Sequence, residues 1–210
     1  MANVIDEKQQ LTLTDQLRIR FKGILDPIGA SLNRLGITPN ALTVLGLVGN
    51  TVGALFLAQG RMSLGGIIIL LMGPIDALDG TMARLRGESS NFGAFVDSVI
   101  DRYIELVIYM GLLFYYLQAG DWLTSVVVYM AAAGSVLVSY VRARGETLGY
   151  QAKVGILTRF ERYVVLAPSL LFNIPTVGLW IIAVLANLTA LQRILYIRSQ
   201  AHERMKRDKK

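Results

Sequence analysis

Asp76-Ala-Leu-Asp79-Gly80-Thr-Met-Ala83-Arg84, then eight residues, then Gly93-Ala-Phe-Val-Asp97-Ser-Val-Ile-Asp101, is the stretch on which the reading of this chain turns. Four aspartates stand in it among apolar runs, where an ionisable group is costly and usually functional. Asp76 and Asp79 are three residues apart, and Asp97 and Asp101 four apart. Each pair therefore occupies one face of its helix. The link between the helices is short, so they are expected to be antiparallel neighbours, with all four carboxylates converging in one polar cavity. Like charges that close need compensation, either by sharing protons or by binding a cation. An all-oxygen donor set favours a hard ion, Mg²⁺ or Mn²⁺. Two such ions would suit displacement at phosphorus. Gly80 and Gly93 suit either close approach of a ligand or small-residue helix packing. Ala83 is equally readable as a packing residue. Arg84 either pairs with phosphate or marks the end of the apolar region.

Outward from this stretch, the 210 residues are 53% hydrophobic and 17% charged, with mean hydropathy +0.48. Soluble domains carry charge on roughly a quarter of their residues, so one domain built inside a bilayer is expected. No cysteine is present and the single His202 lies in a charged tail, which excludes disulfides and thiolate or histidine-rich zinc chemistry. Six apolar stretches, roughly 41–59, 63–83, 93–118, 121–142, 156–173 and 175–198, approach the ~20 residues a helix needs to cross the hydrocarbon. Lys and Arg concentrate at one end of these spans, leaving Arg61 on the other side. The positive-inside rule then places both termini and the aspartates in the cytoplasm of a multi-pass protein, expected in the cell membrane. The net charge of +6 fits cytoplasmic loops facing anionic lipid, and nucleic acid is not expected as a partner.

Three regions follow: a cytoplasmic N-terminus with a juxtamembrane helix (1–38), the six-span all-α domain (39–198) and a basic tail (199–210). Leu17, Phe21, Ile24, Ile28, Leu32 and Leu35 recur at helical spacing opposite Arg18 and Lys22. This predicts an amphipathic helix in the headgroup plane, breaking at Pro27, or else a surface helix packed on protein. Thr38-Pro39 reads as an N-cap with proline at the first helical position. Polar segments at 84–91 and 143–155 read as the short and long loops at the charged end.

The quoted stretch resembles the full signature of the CDP-alcohol phosphotransferases, and the likeness extends over the whole chain. The resemblance implies six spans, a CDP-linked lipid donor such as CDP-diacylglycerol, and typically a homodimer. It implies metal ligands at Asp76, Asp79, Asp97 and Asp101, with Asp101 also the general base. Gly80, Ala83, Arg84 and Gly93 would border the nucleotide, as would Thr43, which also reads as a residue bonding its own backbone. Gly111, Ala131, Ala132, Ala133 and Gly134 are compatible with dimerisation.

Arg142, Arg162 and Arg193 fall near the cytoplasmic end of the last three spans. They read as a pocket for an acceptor that carries phosphate, or as boundary charges facing lipid headgroups. Their segments resemble the branch of the family whose acceptor is inositol phosphate. Thr158 and Phe160 stand where that branch commonly has Glu and Pro. The alternative acceptor is glycerol 3-phosphate, whose enzymes often carry Pro and Lys where Ser98 and Arg102 stand here. A proton- or metal-coupled transporter is the alternative from another class, although no internal repeat is visible.

Overall fold

The computed structural model describes residues 13–87, 91–152 and 154–207, without the side chains of residues 13–19, 21 and 76. Leu17, Arg18 and Phe21 of the expected amphipathic pattern lie outside those described side chains. Among the described residues seven helices follow one another: α1 (Leu13–Arg34), α2 (Pro39–Ala58), α3 (Met62–Arg86), α4 (Asn91–Gln118), α5 (Trp122–Thr147), α6 (Arg159–Leu171) and α7 (Pro175–Arg207). Of these, α2, α3, α5 and α7 are long and apolar enough to cross a membrane. Helix α4 is long enough as well, but Asp97, Asp101, Arg102 and Glu105 interrupt its apolar run.

Two expectations are corrected. Helix α1 runs through Pro27 without a break. The carbonyl that loses its partner there belongs to Gly23, which is exposed and can bond water instead. The fifth expected span contains only 13 helical residues, about 20 Å of helix, because the segment before Thr158 is extended. The last helix, in contrast, continues past residue 198 to Arg207.

Thr38 caps α2 as expected, its hydroxyl accepting from the Ala41 N–H at 3.2 Å. Close backbone approach holds α2 against α3 and α4. A Cβ at Gly65 would lie 2.8 Å from the Gly53 carbonyl, and one at Gly111 would lie 2.3 Å from that of Ala54. Gly111, Ala131 and Gly134 are buried inside the chain, and Gly134 packs on Asn187 and Ala186. These three small residues are therefore spent on internal packing and offer no surface to a second copy. Around them Leu57, Leu112, Val127, Leu170, Leu179 and Ile182 form the core.

Pro74 lies two residues before Asp76 and removes the donor that the Leu70 carbonyl would otherwise bond. The Tyr163 hydroxyl of α6 takes that place, 2.9 Å from Leu70 O and 3.0 Å from Ile69 O. Gly73 makes the room, since a Cβ there would lie 2.3 Å from the same hydroxyl. A freed carbonyl in a bilayer must be met by a neighbouring element, and this contact ties α6 to α3 just before the aspartates. At the C-terminal end of α3, α1 packs by Gly29 on Thr81, Met82 and Leu85. Arg86 then donates to Asn33 Oδ1 and Ile37 O, both at 2.6 Å. Ile24 and Ile28 of α1 and Leu35 just after it point outward, at 58%, 43% and 75% exposure, while Leu32 is half-buried.

Candidate active site

Among the described aspartate side chains of the signature, Asp79 and Asp101 are buried, at 5% and 7% exposure. Asp97 is half-buried one turn earlier on α4, while the Asp76 side chain lies outside the described residues. Thr43 of α2 donates to Asp79 Oδ2 at 2.8 Å and also lies 3.2 Å from the Pro39 carbonyl. One hydroxyl thus meets both a signature aspartate and its own helix backbone. Arg159, the first residue of α6, pairs with Asp101 Oδ2 at 2.5 Å, and Arg102 approaches the same oxygen at 3.6 Å. Among the described residues no three acidic or imidazole side chains gather closely enough to cage an ion. The donor set is nevertheless all oxygen, as a hard divalent ion requires.

The nucleotide-side candidates lie along the same end of α3 and the start of α4. Gly80, Ala83 and Gly93 are half-buried and Arg84 is exposed. Arg84 Nη2 donates to Thr81 Oγ1 at 2.9 Å. The turn after them closes on Gly87 in the left-handed region at φ 67°, which a residue with a side chain adopts less readily.

The three acceptor-side arginines differ sharply in setting. Arg142 is accessible, its side chain 41% exposed, and pairs with Glu146 at 3.0 Å. Arg193 is 2% exposed and donates to the Val154 and Val138 carbonyls at 2.8 and 2.6 Å. Arg142 and Arg162 both lie within electrostatic range of it. Arg162 is 2% exposed and grips Glu105 with both edges of its fork, Nε to Oε1 at 2.5 Å and Nη2 to Oε2 at 2.9 Å. The expected open phosphate contact at Arg162 is occupied by this internal carboxylate.

Glu105 escaped the sequence reading, as did the pairing of Arg102 and Arg159 with Asp101. Glu105 follows Asp101 by four residues, so the same facing rule that paired the aspartates would have extended the polar face to it. Arg159 had no such signal: its contact depends on how the extended segment before α6 is laid, which periodicity does not encode.

A profile of the CDP-alcohol phosphatidyltransferase family matches residues 36–199. The chain is 36% identical over 207 residues to a phosphatidylinositol phosphate synthase of Streptomyces avermitilis, an alignment covering 91% of this chain and 84% of that protein. It is 35% identical over 183 residues to an archaetidylinositol phosphate synthase of Pyrococcus horikoshii, covering 87% and 95%. The crystal structure of Mycobacterium tuberculosis phosphatidylinositol phosphate synthase with CDP-DAG bound is similar at a TM-score of 0.77 and 29% identity, covering 83% and 93%. The same enzyme in complex with manganese and citrate is similar at a TM-score of 0.78 and 29% identity, covering 83% and 88%.

Proposed function

The chain belongs to the CDP-alcohol phosphatidyltransferase family, and on that premise we propose that it transfers the phosphatidyl group of CDP-diacylglycerol to inositol phosphate, releasing CMP. The observation that carries the chemistry is the buried pair Asp79 and Asp101 on the signature helices, each held by a named partner. Asp101 accepts the proton of the acceptor hydroxyl. The oxygen so freed bonds to the phosphorus of the phosphatidyl group, the phosphorus–oxygen bond to CMP breaks, and CMP leaves with the electron pair. Thr43 orients Asp79, and Arg159 holds Asp101 by one carboxylate oxygen. Gly80, Ala83, Arg84 and Gly93 border the cytidine diphosphate.

Asp76, Asp79, Asp97 and Asp101 would hold the divalent ions, Mg²⁺ or Mn²⁺ and two in number. Bound there, the ions supply neutralising charge to the diphosphate. The structure of a relative with manganese supports that reading. The acceptor's phosphate is read by Arg142 at the surface, with Arg193 raising the positive field behind it and Arg162, neutralised by Glu105, shaping the pocket rather than charging it. Arg162 also anchors α6 to α4 through Glu105.

In this reading α2, α3, α4, α5 and α7 cross the membrane and the 13-residue α6, with the segment before it, makes the fifth of six passes, with both termini and the site in the cytoplasm. Helix α1 lies in the headgroup plane, its outward Ile24 and Ile28 and the following Leu35 entering lipid. A homodimer, which the family resemblance implies, would join through outward apolar surface, since Gly111 and Gly134 are enclosed. Purified protein given CDP-diacylglycerol and inositol phosphate is expected to release CMP. Excess chelator should stop the release, and added Mg²⁺ or Mn²⁺ should restore it. Full activity in chelator would rule out the metal mechanism, and release unaltered in Asp101→Asn would remove the assigned base.

A further inference from the structure

The segment between α5 and α6 has no helix of its own, yet it is stitched to α7 at five successive points. The Leu157 N–H donates to Thr189 Oγ1 at 3.1 Å. The Val154 carbonyl accepts from Arg193 at 2.8 Å. Ala152 is fully buried and sits with Ile197 against Gly145. Gln151 and Gln200 exchange two hydrogen bonds, 3.0 Å from the Gln151 N–H and 2.7 Å to its carbonyl. Arg204 donates to the Gly149 carbonyl and lies 4.4 Å from the centre of the Tyr150 ring. Thr189, Arg193, Ile197, Gln200 and Arg204 follow at spacings of four, four, three and four, which is one face of one helix. The segment runs antiparallel along that face, as a strand would along its neighbour. At Gly155 the backbone takes φ 128°, and a Cβ there would lie 2.4 Å from Thr189 Cγ2, so the register admits no side chain at that point.

What this segment delivers is the N-terminus of α6. Arg159 meets Asp101 one residue after the segment ends, and Arg162 meets Glu105 one turn later. We infer that the C-terminal extension of α7 is a positioning rail: Gln200 and Arg204, which touch none of the site residues, set the register that lands the arginine-bearing turn of α6 beside the acceptor. The inference rests on the acceptor-phosphate reading above. It explains why α7 continues as helix beyond the length a bilayer needs, and it assigns a task to residues otherwise readable as a basic tail.

The test is the Gln200→Ala/Arg204→Ala variant of the full chain, with Arg142→Ala as a control that lies off the rail. Alanine favours helix, so α7 is expected to persist, and Gln200→Glu, which keeps one of the two bonds, provides a milder variant. Amide exchange across residues 149–157 is expected to quicken about tenfold on losing these bonds. KM for inositol phosphate should rise about tenfold, while kcat and KM for CDP-diacylglycerol stay within about twofold. A purely structural brace would instead lower the folded fraction and leave every KM in place. Unchanged exchange across 149–157 overturns the rail. Faster exchange with an unchanged acceptor KM, in a protein where Arg142→Ala does raise that KM, overturns it too and leaves the acceptor site standing. If Arg142→Ala also leaves the acceptor KM unchanged, the acceptor reading itself fails and the rail's role falls with it.

Discussion

Arg162 holds a positive charge at 2% exposure, and Glu105 is what makes that tenable. A buried guanidinium left alone would carry the full cost of desolvation, whereas a two-pronged contact satisfies both charges. Glu105→Gln or Arg162→Leu is therefore expected to destabilise the protein by about 3 kcal/mol. Glu105→Leu/Arg162→Leu should recover most of that loss. A double-mutant cycle on thermal unfolding in detergent checks it, and strictly additive losses would show that the pair does not act as a unit. Arg142 belongs to a different class, because its partner Glu146 is as exposed as it is. Arg142→Ala should leave stability alone and lower kcat/KM for the phosphorylated acceptor about tenfold or more. In the sequence all three fall at the same ends of apolar runs, and the apolar neighbours of Arg193 set it apart from Arg142. The depth of Arg162 was not legible there: it depends on which carboxylate or carbonyl lies opposite, and Glu105 is 57 positions away from Arg162.

Helices show a similar division between what pattern carries and what packing decides. The length and composition of α2, α3, α5 and α7 and the Thr38 cap follow from local periodicity and local hydrogen bonds. The continuity of α1 through Pro27 and the shortness of α6 do not, since solvent access and the extended segment decide them. Pro74 in α3 illustrates the coupling between elements. Its missing donor is supplied by Tyr163, so Tyr163→Phe should cost about 1–3 kcal/mol by orphaning a carbonyl. Pro74→Ala should restore the donor within α3 and reduce that cost, and thermal unfolding of the two single variants and the double would show it. A second device lies outside the membrane. Asp121 caps α5, accepting from the Thr124 hydroxyl at 2.6 Å and the Thr124 N–H at 2.9 Å. The side-chain bond chiefly, then the backbone bond, holds its carboxyl below the usual range. A depressed carboxylate contributes stability above its unfolded value, and that contribution fades as pH falls through the folded value. Asp121→Asn should flatten this small acid dependence of the melting temperature, and an unchanged slope would assign it to other carboxylates.

At the scale of the whole molecule, the fold gathers chain segments far apart in sequence at one end of a helical bundle. Thr43, Asp79, Asp101, Arg159 and Arg193 come from five different helices. The signature made the first half of that assembly legible, because its residues lie on adjacent helices joined by a short link. The second half depends on the segment laid along α7, and sequence spacing gives no measure of that path. The chain has no cysteine, so single-cysteine variants can report topology cleanly. Ser199→Cys is expected to react with an impermeant thiol reagent only after permeabilisation, and Gly120→Cys without it. Labelling of both from outside would contradict a cytoplasmic site. The central claim is the reaction itself, and its most direct measurement is the lipid product formed from CDP-diacylglycerol with competing acceptors and Mg²⁺ or Mn²⁺. Inositol phosphate, glycerol 3-phosphate and unphosphorylated inositol should be supplied together at equal concentration. Phosphatidylinositol phosphate should be the dominant product, with CMP released in equal amount. Predominant phosphatidylglycerol phosphate, or equal use of inositol with and without its phosphate, would contradict it.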